Sequence, residues 1–250
     1  MRNFKKVDPG VLMEKFIRSV NVGKSIVYFG LFGILLWILS WYGIPLLQDY
    51  SGLEAVYCWF ILGGCGVFLP MLITVIIKTR RDGFKDSPHE FHNRLRLTNF
   101  RSGDLLWILF GILVSAAGMG LILKGMSRVG LPLTLEPPFL SFSGFPEGKT
   151  WHLVFWIPFF LLNIFGEEFL WRGYLLPRQV TAFGKSGWIL NAGLWFFFQA
   201  AFGFDLMILL LPLLIVVPWF TYIRKNTWVG IGIHGIISGL AFIALSLNWI

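Results

Sequence analysis

Apolar residues along this chain fall in long blocks divided by short polar stretches. The blocks cover about residues 25–47, 55–77, 105–123, from 151 past 168, 186–204, 206–222 and 228–250. Each is roughly 17 to 25 residues long, about what a helix needs to cross a bilayer core. The pattern predicts an all-α fold: a polytopic membrane helix bundle of about seven transmembrane helices. Pro70 is expected to kink the second span.

Composition supports the membrane solvent. The chain is 56% hydrophobic and 14% charged, whereas a soluble domain carries about 25% charged residues. Twelve Trp and 26 Phe suit lipid-facing and interfacial surfaces. Cys58 and Cys65 lie seven apart on one predicted helix, roughly 10 Å along its axis, too far for a disulfide. The first apolar block is long and lacks a small-residue cleavage site, so it reads as a retained helix.

The net charge of +8 changes the picture only through its placement. The basic residues sit between the blocks, where they set topology and meet lipid headgroups; no nucleic-acid partner is expected. The arm 1–24 holds Arg2, Lys5, Lys6, Lys15, Arg18 and Lys24, and the loop 78–104 holds Lys78, Arg80, Arg81, Lys85, Arg94, Arg96 and Arg101. Arg178 and Lys185 fall in a later loop of the same parity, as do Arg224 and Lys225. The alternate loop 48–54 carries Asp49 and Glu54, and Asp205 marks a tight turn. This alternation predicts a cytoplasmic N-terminus and an outside C-terminus. The parse is a basic arm at 1–24, three spans within 25–123, an external Pro/Gly-rich loop at 124–150, and a last group of helices at 151–250.

One span carries charge. Gly-Glu-Glu-Phe-Leu-Trp-Arg-Gly occupies 166–173, and ionisable residues inside a membrane helix usually face a cavity and mark function. Glu168 and Arg172 are four apart and are expected to pair. Glu167 is turned about 100° away and shares its face with Asn163. A desolvated carboxylate without a cation suits a general base that activates water. The bland reading is a salt bridge that locks the helix end, and it fits Glu168 better than Glu167.

The Glu-Glu-x-x-x-Arg pattern at the end of a membrane helix resembles the first motif of the CPBP (Abi) family. These are intramembrane proteases of the CAAX prenyl endopeptidase and bacteriocin-processing group. The resemblance runs over about 150–245. The second motif, an aromatic followed by His four residues on, falls on Trp195 to Gln199. The third, His followed by Asn four residues on, falls on His234 to Ser238. Family roles imply that Glu167 activates water and that His234 and Ser238 hold the oxyanion. Glu168 and Arg172 would fix the geometry. Gln199 stands where the family has His; it can orient a water but cannot take its proton. The implied substrate is a membrane-bound or prenylated peptide or protein, and the implied setting is a prokaryotic cell membrane.

Two other functions remain open at this point: a catalytically impaired scaffold or bacteriocin-immunity protein, and an ion or proton transporter. No inverted repeat favours transport. No cofactor is assigned, although two Glu and one His could bind a divalent metal such as zinc. His89-Glu90-Phe91-His92 is one residue short of a zincin signature and reads as a solvated loop. His152 is expected at the external interface, and Gly230, Gly235 and Gly239 are expected to let the last span pack closely.

Overall fold

A computed structural model describes residues 18–82, 88–140, 150–247 and 249. Every regular element among them is helical. Helix α1 runs over Val22–Ser51 and α2 over Ala55–Arg81. A short α3 covers Pro88–Arg94, and α4 covers Ser102–Arg128. Helix α5 spans 153–183, α6 Gly187–Phe198, α7 Phe204–Leu209, α8 Leu211–Arg224 and α9 Thr227–Ser246. Most of the arm 1–24, part of the loop 78–104, residues 141–149 and the extreme C-terminus lie outside the described residues.

Helix ends follow local chemistry. Asn21 caps α1 by accepting from the Lys24 amide at 2.9 Å, and Asn226 caps α9 by accepting from the Trp228 amide at 3.2 Å. Asp104 accepts from the Arg101 amide at the start of α4. Gly52 closes α1 with φ +70°, a conformation that glycine adopts without a Cβ penalty. Wide π-helical turns interrupt the long helices at Leu39–Gly43, Gly64–Phe68 and Glu168–Leu175. The structure thus places a π turn in α2 beside the predicted Pro70 kink.

Five runs have the length and apolarity of membrane spans, compared with the seven expected. The difference lies in the C-terminal half. Residues 153–202 form one nearly unbroken helical run, although the chain folds back within it at Gly184, where φ is +58°. Cross-helix bonds from Asn191 to the Trp171 carbonyl and from Trp195 to Glu167 tie the two limbs together. Helix α8 is apolar but has only 14 residues. The outward faces remain greasy: Leu31, Leu106, Phe110 and Leu113 are all more than half exposed. Surfaces this apolar are stable in lipid and a liability in water. The protein is an integral membrane protein.

Polar and aromatic contacts fix the two ends of the bundle. At one end, Arg178 pairs with Asp82 and lies over the Tyr174 ring. Arg224 pairs there with Asp104 at 2.8 Å, and the Thr227 amide donates to the Arg96 carbonyl. At the other end, Tyr57 meets His152, and Trp41 donates to the Ala201 carbonyl. Asp205 accepts from both the Thr134 amide and hydroxyl at 2.9 Å, so it holds residues 131–140 against the turn before α7. These two bonds, the amide first, keep the Asp205 carboxyl below its usual range. The contact is therefore intact at neutral pH and lost as pH falls through that depressed value. The expected loop 124–150 begins later than predicted, because α4 continues to Arg128.

Close backbone contact seats α5 on α2. A Cβ added to Gly166 would lie 2.7 Å from the Phe68 carbonyl oxygen. A Gly166→Ala variant should lose about 1–3 kcal/mol, the usual cost of overpacking. Gly193→Ala, which points into open space, should be neutral or stabilising. Denaturation of both variants in detergent, followed by tryptophan fluorescence, checks the pair.

Candidate active site

Asn163 and Glu167 sit one turn apart on α5, as their spacing predicts. The Asn163 amide donates to Glu167 Oε1 at 2.9 Å. The indole of Trp195 on α6 donates to Glu167 Oε2 at 2.6 Å. Each oxygen of this buried carboxylate therefore accepts one neutral hydrogen bond. The expectation of a carboxylate without a cation partner fits this arrangement. The Trp195 indole is a further partner, which no spacing along α5 announces.

Glu168 opens the π turn and points elsewhere. Its Oε1 meets His234 Nδ1 of α9 at 2.9 Å, and its Oε2 lies 3.5 Å from Arg172 Nε. The expected Glu168–Arg172 pair is present, but it is longer than the roughly 2.7–2.9 Å of a charge-assisted hydrogen bond. The wide turn displaces the guanidinium, which instead lies flat over the Trp195 ring, 3.5 Å from its centroid. A guanidinium over indole is a favourable desolvated contact. Glu168 and Arg172 are both fully buried. Two carboxylates thus face one guanidinium and one imidazole.

Gly230 makes this packing possible. A Cβ there would lie 2.5 Å from Glu168 Oε2 and 2.8 Å from Thr221 Oγ1. Gly235 and Gly239 are less constrained, with hypothetical Cβ contacts of 3.7 and 3.4 Å to Ile164 and Phe160. Of the three glycines expected to admit α9, Gly230 is the one whose side chain would strike the charged cluster.

A cavity of about 190 Å³ lies beside the cluster. Its polar lining comes from Asn163, Glu167, Gln199, His234 and Ser238, with the Trp195 indole. The rest of its wall is aromatic and leucine-rich. Glu167, Gln199, His234 and Ser238 therefore share one space. Glu168 and Arg172 do not line it; they sit behind His234 and Trp195. Gln199 lies on a 3-10 turn that follows α6, not on the regular helix assumed from its spacing to Trp195.

A second buried network braces α6 against the cluster. Asn191 donates to Gln179 Oε1 and to the Trp171 carbonyl, and Gln179 donates to Ser25. Trp171 stacks on Phe29 at 3.8 Å. This link to α1 joins residues far apart in sequence, and no spacing signal announces it. The other candidates separate from the site. His152 lies at the far end with Tyr57, and the segment with His92, expected as a solvated loop, instead forms the short helix α3. Among the described residues no three His, Cys, Asp or Glu side chains are grouped to hold a metal. Glu168 and His234 contact each other directly.

A family model described as Type II CAAX prenyl endopeptidase Rce1-like matches residues 149–240. The match begins just before α5 and ends within α9, so it encloses every polar residue of the cavity. No curated protein and no solved structure matches the chain.

Removing one partner from a buried ion pair typically costs about 3–5 kcal/mol. Arg172→Met should destabilise the protein by that order, because Glu168 keeps only His234. The Glu168→Gln/Arg172→Met double variant should recover part of the loss. Thermal unfolding in detergent of the two single variants and the double variant reads the coupling; additive losses would show that Arg172 does not serve Glu168.

Proposed function

We propose that this chain, whose residues 149–240 form an Rce1-like domain, is an intramembrane endopeptidase that cleaves a membrane-associated or prenylated substrate with water activated at Glu167. The observation that carries the reading is the convergence of Glu167, Gln199, His234 and Ser238 on one cavity.

The chemistry divides among these groups. Water held between Glu167 and the Gln199 amide gives a proton to Glu167 as its oxygen attacks the scissile carbonyl carbon. The same proton then passes to the departing amine nitrogen, so atoms and charge balance. His234 donates from Nδ1 to Glu168. In its imidazolium form it also donates from Nε2 to the developing oxyanion, beside the Ser238 hydroxyl. With His234 charged, two cations offset two carboxylates. Asn163 and Trp195 orient Glu167 and leave each oxygen a lone pair for water. Arg172, held on the Trp195 ring, fixes Glu168.

In this reading the protein is a multi-pass component of a prokaryotic cell membrane, with a cytoplasmic N-terminus and an outside C-terminus. Its partners are lipids and a membrane-bound peptide or protein. The segregation of basic residues to one end of the bundle supports that orientation.

Gln199 favours a second reading, a binding scaffold or immunity protein with impaired catalysis, since an amide cannot relay a proton. Membranes from cells expressing the wild-type chain or Glu167→Gln distinguish the two. Mass spectrometry of new peptide termini should show cleavages with the wild type that fall at least 10²-fold in the variant, the lower range for loss of a general base. Identical termini in both membranes would leave the scaffold. Gln199→His should raise the cleavage rate, because an imidazole supplies the proton relay that the amide lacks; an unchanged rate would show that the amide's positioning role suffices.

A further inference from the structure

The cavity is not placed symmetrically between the two ends of the bundle. Charge defines one end. Lys78, Arg80, Arg81, Arg94, Arg96, Arg101, Arg178, Lys185, Arg224 and Lys225 gather there, tied by Arg178–Asp82, Arg224–Asp104 and the Thr227–Arg96 bond. The other end carries Asp49, Glu54, Glu136 and Asp205 against Lys124 and Arg128. Lys and Arg remain preferentially on the cytoplasmic side of a membrane.

Depth along the helices places the polar residues in the middle. His234 is seven residues, about 10 Å, from the start of α9 at the basic end. Glu167 is 14 residues, about 21 Å, from the start of α5 at the opposite end. From these groups the cavity extends away from the basic end. Trp156, Phe202, Leu206, Leu210 and Phe242 line it further out, and Leu206, Leu210, Ser238 and Phe242 are partly exposed. Toward the basic end it meets a floor. Leu170, Trp171, Arg172, Val229 and Ile233 there are fully buried.

We infer that the cavity is entered from the non-cytoplasmic side of the membrane. Its occupant is an uncharged, apolar stretch of peptide from a protein already exposed at the outer face, rather than the cytoplasmic C-terminus of a prenylated protein. Class follows from lining: aromatic and leucine side chains flank the entrance, and among the described residues no Lys, Arg or Asp lines the cavity to receive a charged side chain. A peptide entering along this path meets the apolar wall first and reaches Glu167 and His234 at its inner end. The inference rests on the endopeptidase reading for the word substrate, but the direction of entry does not.

Thiol accessibility tests direction without catalysis. In a background of Cys58→Ala and Cys65→Ser, single cysteines are placed at Leu206 and Leu210 in the cavity. Tyr50→Cys marks the weakly charged end and Arg81→Cys the basic end. The probe is a membrane-impermeant sulfonated methanethiosulfonate, applied to intact cells and to inverted vesicles. Leu206→Cys and Leu210→Cys should react with Tyr50→Cys from outside, at least tenfold faster than from inside, and Arg81→Cys should react only in inverted vesicles. Reaction of the cavity cysteines from the Arg81 side, equally from both sides, or from neither would overturn the inference, as would reaction of Arg81→Cys from outside. Either cavity position suffices if the other variant fails to fold. If direction is as inferred but Glu167→Gln leaves peptide termini unchanged, the endopeptidase reading fails and the route of entry stands. For substrate class, a quenched fluorescent peptide with an apolar core should be cut in right-side-out vesicles. Preferential cutting of a farnesylated peptide with a cytoplasmic-type C-terminus in inverted vesicles would contradict the assignment.

Discussion

The structure depends on burying two adjacent carboxylates at mid-membrane without leaving either unsupported. An isolated ion in a medium of low dielectric is prohibitively costly, so each carboxylate needs partners from its own helix and from a facing one. The partners are divided asymmetrically. Glu168 takes Arg172 of its own helix and His234 of α9, while Glu167 takes neutral donors from Asn163 of its own helix and Trp195 of α6. Trp195 serves both sides, since its indole N–H holds Glu167 while its ring carries the Arg172 guanidinium. One side chain thereby joins the two halves of the cluster.

Packing elsewhere serves this arrangement. Ordinary helical geometry turns the two neighbouring carboxylates about 100° apart, and the π turn at Glu168–Leu175 then alters the four-residue step from Glu168 to Arg172. Gly166 admits the α2 backbone immediately before the pair, and Gly230 leaves room for Glu168 Oε2 from the opposite side. The Asn191–Gln179–Ser25 chain ties α6 to α1 and so fixes the Trp195 ring. These are polar bonds in a setting where water is scarce, and they leave Asn191 Oδ1 as the one polar side-chain atom of the three residues without a hydrogen bond among the described residues.

Much of this was legible in the sequence, for identifiable reasons. Apolar blocks announce membrane helices because the bilayer sets their length. The Glu168–Arg172 pair and the Asn163–Glu167 bond follow from four-residue spacing. The assembly of Glu167, Gln199, His234 and Ser238 was legible only through motif resemblance, since no local rule relates residues 67 positions apart. The missed features have a common cause. A π turn depends on tertiary packing rather than propensity, so the longer Glu168–Arg172 distance and the stacking of Arg172 on Trp195 were hidden. The Glu168–His234 contact was hidden for the same reason. A turn at Gly184 inside a continuous helical run also blurs the count of spans.

The acidic pair is divided: Glu167 is presented to the cavity, while Glu168 is held behind it by Arg172 and His234. A hydrophobic carbodiimide, which reacts with accessible carboxyl groups in apolar surroundings, reads that division directly when its adducts are located by peptide mass spectrometry on the wild-type protein in membranes. Modification is expected at Glu167, with Glu168 spared. Equal or greater modification at Glu168 would contradict it.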